Sequence, residues 1–193
     1  SLGRMTVTGA AGHAGTTPMH LRRDALACAA EILLAIEAMA RDNSEIVATV
    51  GQLSVSPGAG NVIPGSVSFS YDIRSPRDAA RVKALALAMG RAREIAEERG
   101  CSIDIEMTTA MPAATCDPAL KAILAEAAGE HAPELVSGAG HDAMIFRNVC
   151  PQAMLFVRSK GGLSHHPDEF TSAEDIGIAA RALHDAVVAL AER

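Results

Sequence analysis

The chain is poor in aromatic residues: tryptophan is missing, tyrosine occurs once and phenylalanine four times in 193 residues. Any core must therefore be built from Ala, Leu, Ile, Val and Met. No run of 18 apolar residues occurs, so no membrane-spanning helix and no membrane partner are expected. Basic residues are not in excess. The 17 Lys and Arg face 23 Asp and Glu, for a net charge of −6, which argues against a nucleic-acid partner. The four cysteines (Cys28, Cys101, Cys116, Cys150) form no CxxC pair. That argues against a zinc ribbon and fits a reducing cytoplasm better than a disulfide framework. The N-terminus does not read as a signal peptide, and a cytoplasmic location is expected. What is present is globular in proportion: 49% hydrophobic and 21% charged. The length suits one large domain or two small ones.

Along the chain, Gly3 to Ala10 reads as a strand, with Thr6, Val7 and Thr8 β-branched. A Gly-rich loop follows through Gly12-His13-Ala14-Gly15-Thr16-Thr17-Pro18-Met19. Arg22 to Arg41 reads as a helix with apolar positions Leu26, Ala29, Ala30, Leu33, Leu34, Ile36 and Ala40. Ile46 to Val55 reads as a strand with an irregularity at Gly51, and 57–65 as a turn-rich connection. Ser66 to Arg74 alternates cleanly, the pattern of a half-buried antiparallel strand. Ser75-Pro76 opens a helix over 77–99 that stops at Gly100. Cys101 to Thr109 is a further strand. Residues 1–111 are thus expected to form a β-α-β-β-α-β, ferredoxin-like domain: a four-stranded antiparallel sheet with two helices on one face. Residues 112–193 read α-β-α-β-α. Asp117 caps a helix to about Glu130, Glu134–Val136 is a short strand, and a short helix ends near Asn148. Gln152–Val157 is a strand buried on both faces. Ser172 caps a last helix to about Arg193, burying Ile176, Ala179, Ala180, Leu183 and Val187. Two strands do not make a doubly wound sheet, so this part reads as the α/β remnant of a larger domain.

Several residues could carry chemistry. His13 lies between glycines in a loop, where a functional imidazole and a turn-capping one are both possible. Asn61 is either a ligand-binding amide or a turn former. Arg74, beside Asp72 on a polar strand face, is either a binding guanidinium or half of a surface ion pair. The stretch Ser164-His165-His166-Pro167-Asp168-Glu169 crowds imidazoles and carboxylates into a loop after a strand, where α/β folds place their sites. His141-Asp142 opens a helix after Gly138-Ala139-Gly140, which suits an anion or oxyanion. The same pair also reads as an N-terminal Asp with a bystander His. No HEXXH, GxSxG or P-loop occurs.

Taken in order, these motifs resemble the M20-type metallohydrolases. The nearest subgroup is the N-carbamoyl-L-amino-acid and allantoate amidohydrolases. The resemblance rests on 12–19 with Arg23-Asp24-Ala25, Gly60-Asn61-Val62-Ile63-Pro64-Gly65, Asp72-Ile73-Arg74, Ser137-Gly138-Ala139-Gly140-His141-Asp142-Ala143 and Gly162-Leu163-Ser164-His165. It implies a lid or dimerisation domain over 1–111 and the end of the zinc-hydrolase catalytic domain over 112–193. His165 then corresponds to the last ligand of a dinuclear zinc or manganese site. His13 corresponds to the lid histidine that reaches a substrate carbonyl, typically in the partner subunit. Asn61 and Arg74 correspond to the pair that holds the substrate carboxylate, and Gly140 to a backbone contact with substrate. His166 stands where a small or polar residue is commoner, which leaves open which histidine binds metal. The roles of His141 and Asp142 are not assigned.

The family's first catalytic segment, with the other metal ligands and the general-base glutamate, is not found here. The chain is therefore expected to be a C-terminal fragment, inactive alone and holding no metals of its own. Its complete form is expected to be a homodimeric, metal-dependent hydrolase of linear C–N bonds in small carbamoyl or ureido substrates. The alternatives are a dimerisation module without catalysis, or an M20 aminoacylase or peptidase.

Overall fold

The alternation from Ser66 to Arg74 organises the first part of the molecule. It forms strand β6 (Ser66–Arg74), with Val67, Phe69, Tyr71 and Ile73 buried on one face. Strand β1 (Leu2–Thr8) pairs with it antiparallel, Val7 opposite Val67 and Met5 opposite Phe69. Because side chains alternate along a strand, this register puts Met5 and Val7 on the same buried face. Strand β7 (Ser102–Thr109) lies on the far side of β1. The computed structural model describes residues 1–129 and 132–192. It divides the chain into two compact units, Ser1–Ala113 and Ala114–Arg193.

The strand expected over Ile46 to Val55 is two strands, β3 (Val47–Thr49) and β4 (Leu53–Ser56), both antiparallel to β6. The sheet therefore has five strands and not four. Thr49 faces Asp72 and Leu53 faces Phe69, so four steps on one side match three on the other. That is a one-residue bulge, centred on the Gly51 irregularity. Gln52 bridges it: its N–H donates to the Ser70 hydroxyl (3.1 Å) and its carbonyl accepts from Ser70 N–H (3.0 Å).

Helix α1 (Ala25–Arg41) starts later than Arg22, because Asp24 caps it by accepting from Leu26 N–H and Ala27 N–H. It buries Ala25, Cys28, Ala29, Ile32 and Ile36, while Leu26 and Leu34 are exposed. The helix is apolar nearly all round, so periodicity alone does not single out the stripe that packs. Helix α2 (Asp78–Glu98) ends at Gly100, whose φ of 64° is the left-handed stop that glycine takes cheaply. Both helices contribute to the core that holds Met5, Val7, Phe69 and Tyr71. The loop after β1 is part of a second, two-stranded sheet. Here β2 (Gly12–His13) pairs with β5 (Val62–Ile63), a pairing that two-residue strands do not announce in sequence.

The second unit holds helices α3 (Pro118–Ala128), α4 (Ala143–Phe146) and α5 (Ala173–Ala191), and α3 packs on α5. Asp117 and Ser172 cap α3 and α5 as expected. The expected helix ends at Glu130 and Arg193 lie outside the described residues. Neither Glu134–Val136 nor Gln152–Val157 is a strand, and Leu135, Val136, Phe156 and Val157 are exposed. A strand buried on both faces exists through neighbours on both edges. The described residues of this unit contain no strand to supply them. On α5 the buried residues are Ala182 and Ala186, whereas Ile176, Leu183 and Val187, expected inside, are outside. Among the described residues no helix is long and apolar enough to cross a membrane.

Candidate functional site

Two motifs that lie 48 positions apart in sequence, His13 and Asn61, meet at one end of the first unit. The β2–β5 pairing sets His13 opposite Val62, and Ala14 N–H donates to the Asn61 carbonyl (3.0 Å). Gly9 lets the chain that leads to this end pass close to the backbone before α1: a Cβ on it would stand 2.0 Å from the Arg23 carbonyl oxygen. Both His13 and Asn61 are exposed. The backbone of 13–17 folds tightly, with Thr17 N–H on the His13 carbonyl (3.1 Å). Within that turn Gly15 N–H donates to His13 Nδ1 (3.0 Å). A neutral imidazole has one donor and one acceptor nitrogen. With Nδ1 accepting, the ring proton is on Nε2, and an exposed neutral imidazole with that proton is a hydrogen-bond donor toward solvent or substrate.

Arg74 is elsewhere. It ends β6, and Ser66 at the other end is the residue that follows the Asn61 loop. Eight steps along a strand span about 26 Å. The strand that links Asn61 and Arg74 therefore places them toward opposite ends of the sheet. Arg74 Nε donates to both Asp72 carboxylate oxygens (2.9 Å each), and Nη2 adds a short contact to Oδ2. These hydrogen bonds hold the Arg74 pKa above its ordinary value. They fix the plane of a group suited to binding a carboxylate through two parallel hydrogen bonds.

In the second unit Gly140 is exposed, with open space where a Cβ would stand. His141 Nδ1 accepts from Ala143 N–H (3.0 Å), so this ring is tied into its own turn. The helix that follows, α4, is one turn long, and the Asp142 side chain makes no cap hydrogen bond to it. His165 has a left-handed backbone with φ 56°, costly for a residue with a side chain and held in place by neighbours when it occurs. Its N–H donates to Glu169 Oε2 (2.9 Å). His166 Nδ1 accepts from Asp168 N–H (3.1 Å), so the two adjacent histidines differ: one ring is used locally, the other residue is anchored by its backbone.

Among the described residues no group of three or more His, Cys, Asp or Glu could hold an ion. The residue passed over in the sequence is Arg22. It reads there as the start of a helix, but it lies before the helix and reaches back to the His13 turn. Nothing in the spacing marks that contact.

The described residues form a mixed α/β chain with antiparallel sheets. Residues 5–189 match the family model for peptidase family M20/M25/M40, and the chain belongs to that family. Among its relatives, an N-carbamoyl-L-amino acid amidohydrolase of Geobacillus stearothermophilus is 40% identical over 192 residues, covering 98% of this chain and 47% of the relative. An allantoate deiminase of Arabidopsis thaliana is 35% identical over 210 residues, covering 93% of this chain and 40% of the relative. The crystal structure of a hydantoinase/carbamoylase family amidase from Burkholderia vietnamiensis superposes with a TM-score of 0.90 at 35% identity, covering 97% of this chain and 46% of that one. The chain thus spans about half the length of the relatives it matches.

Proposed function

We propose that this chain is the lid and the closing part of the catalytic domain of a metal-dependent amidohydrolase. Its substrates are small molecules with a linear carbamoyl or ureido C–N bond and a carboxylate, of the N-carbamoyl-L-amino acid or allantoate kind. The first unit is the ferredoxin-like lid, with β3 and β4 counting as one bulged strand. The observation that carries the reading is the pairing of His13 with Asn61 at one end of the sheet and the clamping of Arg74 at the other. One substrate a few ångströms long does not span both ends. The three residues serve one site if two copies of the chain associate through their lids, His13 and Asn61 of one copy facing Arg74 of the other.

In that site Arg74, its plane set by Asp72, binds the substrate carboxylate, and the Asn61 amide donates beside it. His13 Nε2–H donates to the carbonyl oxygen as negative charge develops on it, a contact stronger in the transition state than before it. Gly140 lets the backbone approach the substrate closely. His165 contributes one imidazole to a pair of zinc or manganese ions. The remaining ligands belong to the half of the relatives' length that this chain does not match. The ions supply the water activation of this chemistry. The free cysteines, Cys28, Cys101, Cys116 and Cys150, fit a reducing cytoplasm.

The test is complementation in a protein of the relatives' full length. His13→Ala and Arg74→Ala subunits, each inactive alone on N-carbamoyl amino acids and allantoate, are mixed and allowed to exchange. Recovery of up to one working site per mixed dimer supports the shared site. Two variants that exchange subunits and stay silent place His13 and Arg74 in one chain's own site and reject it. The present chain alone is expected to show no zinc- or manganese-dependent turnover and no tight metal binding by calorimetry.

A further inference from the structure

Arg22 sits outside every role given above, yet it touches the His13 turn twice. Its Nη2 donates to the Ala14 carbonyl (2.6 Å) and its Nε to the Thr17 carbonyl (3.0 Å). Those two carbonyls bracket Gly15, whose N–H holds His13 Nδ1. Arg22 is half-buried, and its own N–H donates to the Met19 carbonyl (3.2 Å), which fixes where its side chain starts. The other ties of the turn are backbone ones: Thr17 N–H and Thr16 N–H on the His13 carbonyl (3.1 and 3.4 Å) and Ala14 N–H on the Asn61 carbonyl (3.0 Å). None of them holds the Ala14 or Thr17 carbonyl, and Gly15 and Thr16 are exposed. Hydrogen bonds from a guanidinium to carbonyls are charge-assisted and stronger than neutral ones, and the planar fork presents two donors in fixed relation.

We propose that Arg22 is a positioning residue for His13: by clamping Ala14 and Thr17 it holds Gly15 N–H on Nδ1 and so fixes the ring proton on Nε2. It touches no reacting atom. Its effect is on which nitrogen of His13 is the donor. A neutral imidazole freed from the Gly15 contact distributes its proton between both nitrogens, and the fraction able to donate from Nε2 falls. The catalytic consequence rests on the reading of His13 as the oxyanion donor; the clamp itself does not.

The clamp is tested on this chain without turnover. Long-range proton–nitrogen correlation spectra of the imidazoles separate the two tautomers, recorded about two units above the ordinary histidine pKa of about 6.5. His13→Gln assigns the signal. The native chain is expected to show Nε2–H in about tenfold excess, the ratio one hydrogen bond supports. Arg22→Met keeps most of the stem and removes the donors; the excess is expected to fall to about threefold or less. Arg22→Lys, with one donor group in place of a fork, is expected to lie between. Backbone amide spectra of α1 and β6 report whether each variant keeps its fold, and Arg22→Lys decides the matter if Arg22→Met does not. A native ring protonated on Nδ1, or a tautomer ratio unmoved in a folded variant, overturns the proposal. A fall from tenfold to threefold lowers the Nε2–H fraction only from about 0.91 to about 0.75. The tautomer ratio itself therefore tests the clamp, and the mixing of His13→Ala and Arg74→Ala subunits tests the catalytic reading of His13 separately.

Discussion

The two units of this chain have comparable helices but very different interiors. In Ser1–Ala113, Tyr71, Phe69, Met5, Ile32, Ile73, Ile95, Val7 and Val67 are all shut off from solvent. Among the described residues of Ala114–Arg193 the buried apolar side chains are Ile123, Ala182 and Ala186, while Leu135, Ile145, Phe146, Val149, Phe170, Leu183 and Val187 are exposed. The difference lies in where the pairing partners come from. An antiparallel sheet with βαβ connections of this kind closes within about a hundred residues, so β1, β6 and β7 find one another. The apolar runs of the second unit form no strand among its described residues, and a strand buried on both faces needs neighbours on both edges. Those neighbours are not among its described residues.

The sharpest way to break that comparison is to cut into both interiors. Phe69→Ala removes a ring with no solvent exposure at the centre of the first core. It is expected to cost about 3–5 kcal/mol, read from urea unfolding followed by β-sheet circular dichroism. Ile123→Ala, nearly as buried but in the second unit, is expected to cost about 2 kcal/mol or less, because its surroundings can collapse around it. Equal losses at the two sites would mean that the second unit packs as firmly as the first.

Alkaline pH sharpens it further. The Cys28 thiol is fully buried in the first core, and burial pushes its pKa from the ordinary 9.0 up to about 12, with Cys101 beside it adding to the rise. Burial raises the Tyr71 phenol in the same way. Between pH 9 and 12 the unfolded chain releases the Cys28 proton while the native chain keeps it, so the native state binds more protons. Stability is therefore complete below about pH 9 and falls as pH rises through 12. Cys28→Ala is expected to flatten the slope of the urea midpoint against pH in the first unit. A slope unchanged by the substitution would contradict this account.

What was legible in the sequence follows the same division. The alternation of 66–74, the Gly100 stop, and the Asp117 and Ser172 caps are local devices, and each is found where its residues stand. The β2–β5 pairing was not legible, because two residues carry no period. Nor was the inward stripe of α1 or α5, because both helices are apolar on more than one face. His13 and Asn61 could be singled out as polar residues among glycines, but their meeting depends on a short sheet that no spacing marks. The separation of Arg74 from the Asn61 loop was legible in principle: Arg74 ends a nine-residue strand that begins just after that loop, and a strand is a ruler. Arg22 was hidden for the opposite reason, since its side chain acts on a turn five to eight residues behind it.

Caps offer a smaller and more even test. Asp24 accepts from two N–H groups of α1 and Ser172 accepts from Asp175 N–H of α5. A cap is satisfied within a few residues and does not depend on a finished core. Asp24→Ala and Ser172→Ala are each expected to cost about 1 kcal/mol, or to lower the helical content of their own helix at fixed urea. A large loss at Asp24 alone would show that capping energy is realised only against a packed sheet.

The smallest effect is expected on the outer stripe of α5. Ile176, Ala180, Leu183, Val187 and Leu190 follow one another at helical spacing and are all exposed, Leu183 by 53%. The adjoining stripe, with Ala182 and Ala186, is the one that is buried, and α3 packs on this helix. A leucine half in water has half its transfer free energy left to gain and leaves no cavity when truncated. Leu183→Ala is therefore expected to change the stability of this chain by less than about 0.5 kcal/mol. In a protein of the relatives' full length the same substitution is expected to cost about 2 kcal/mol or more if that stripe becomes an inner face. A loss of that size in the chain alone would mean the stripe is already covered, by a second copy, and unfolding would then depend on protein concentration. A loss near zero in both would mean that α5 is a surface helix whose apolar pattern has no structural use.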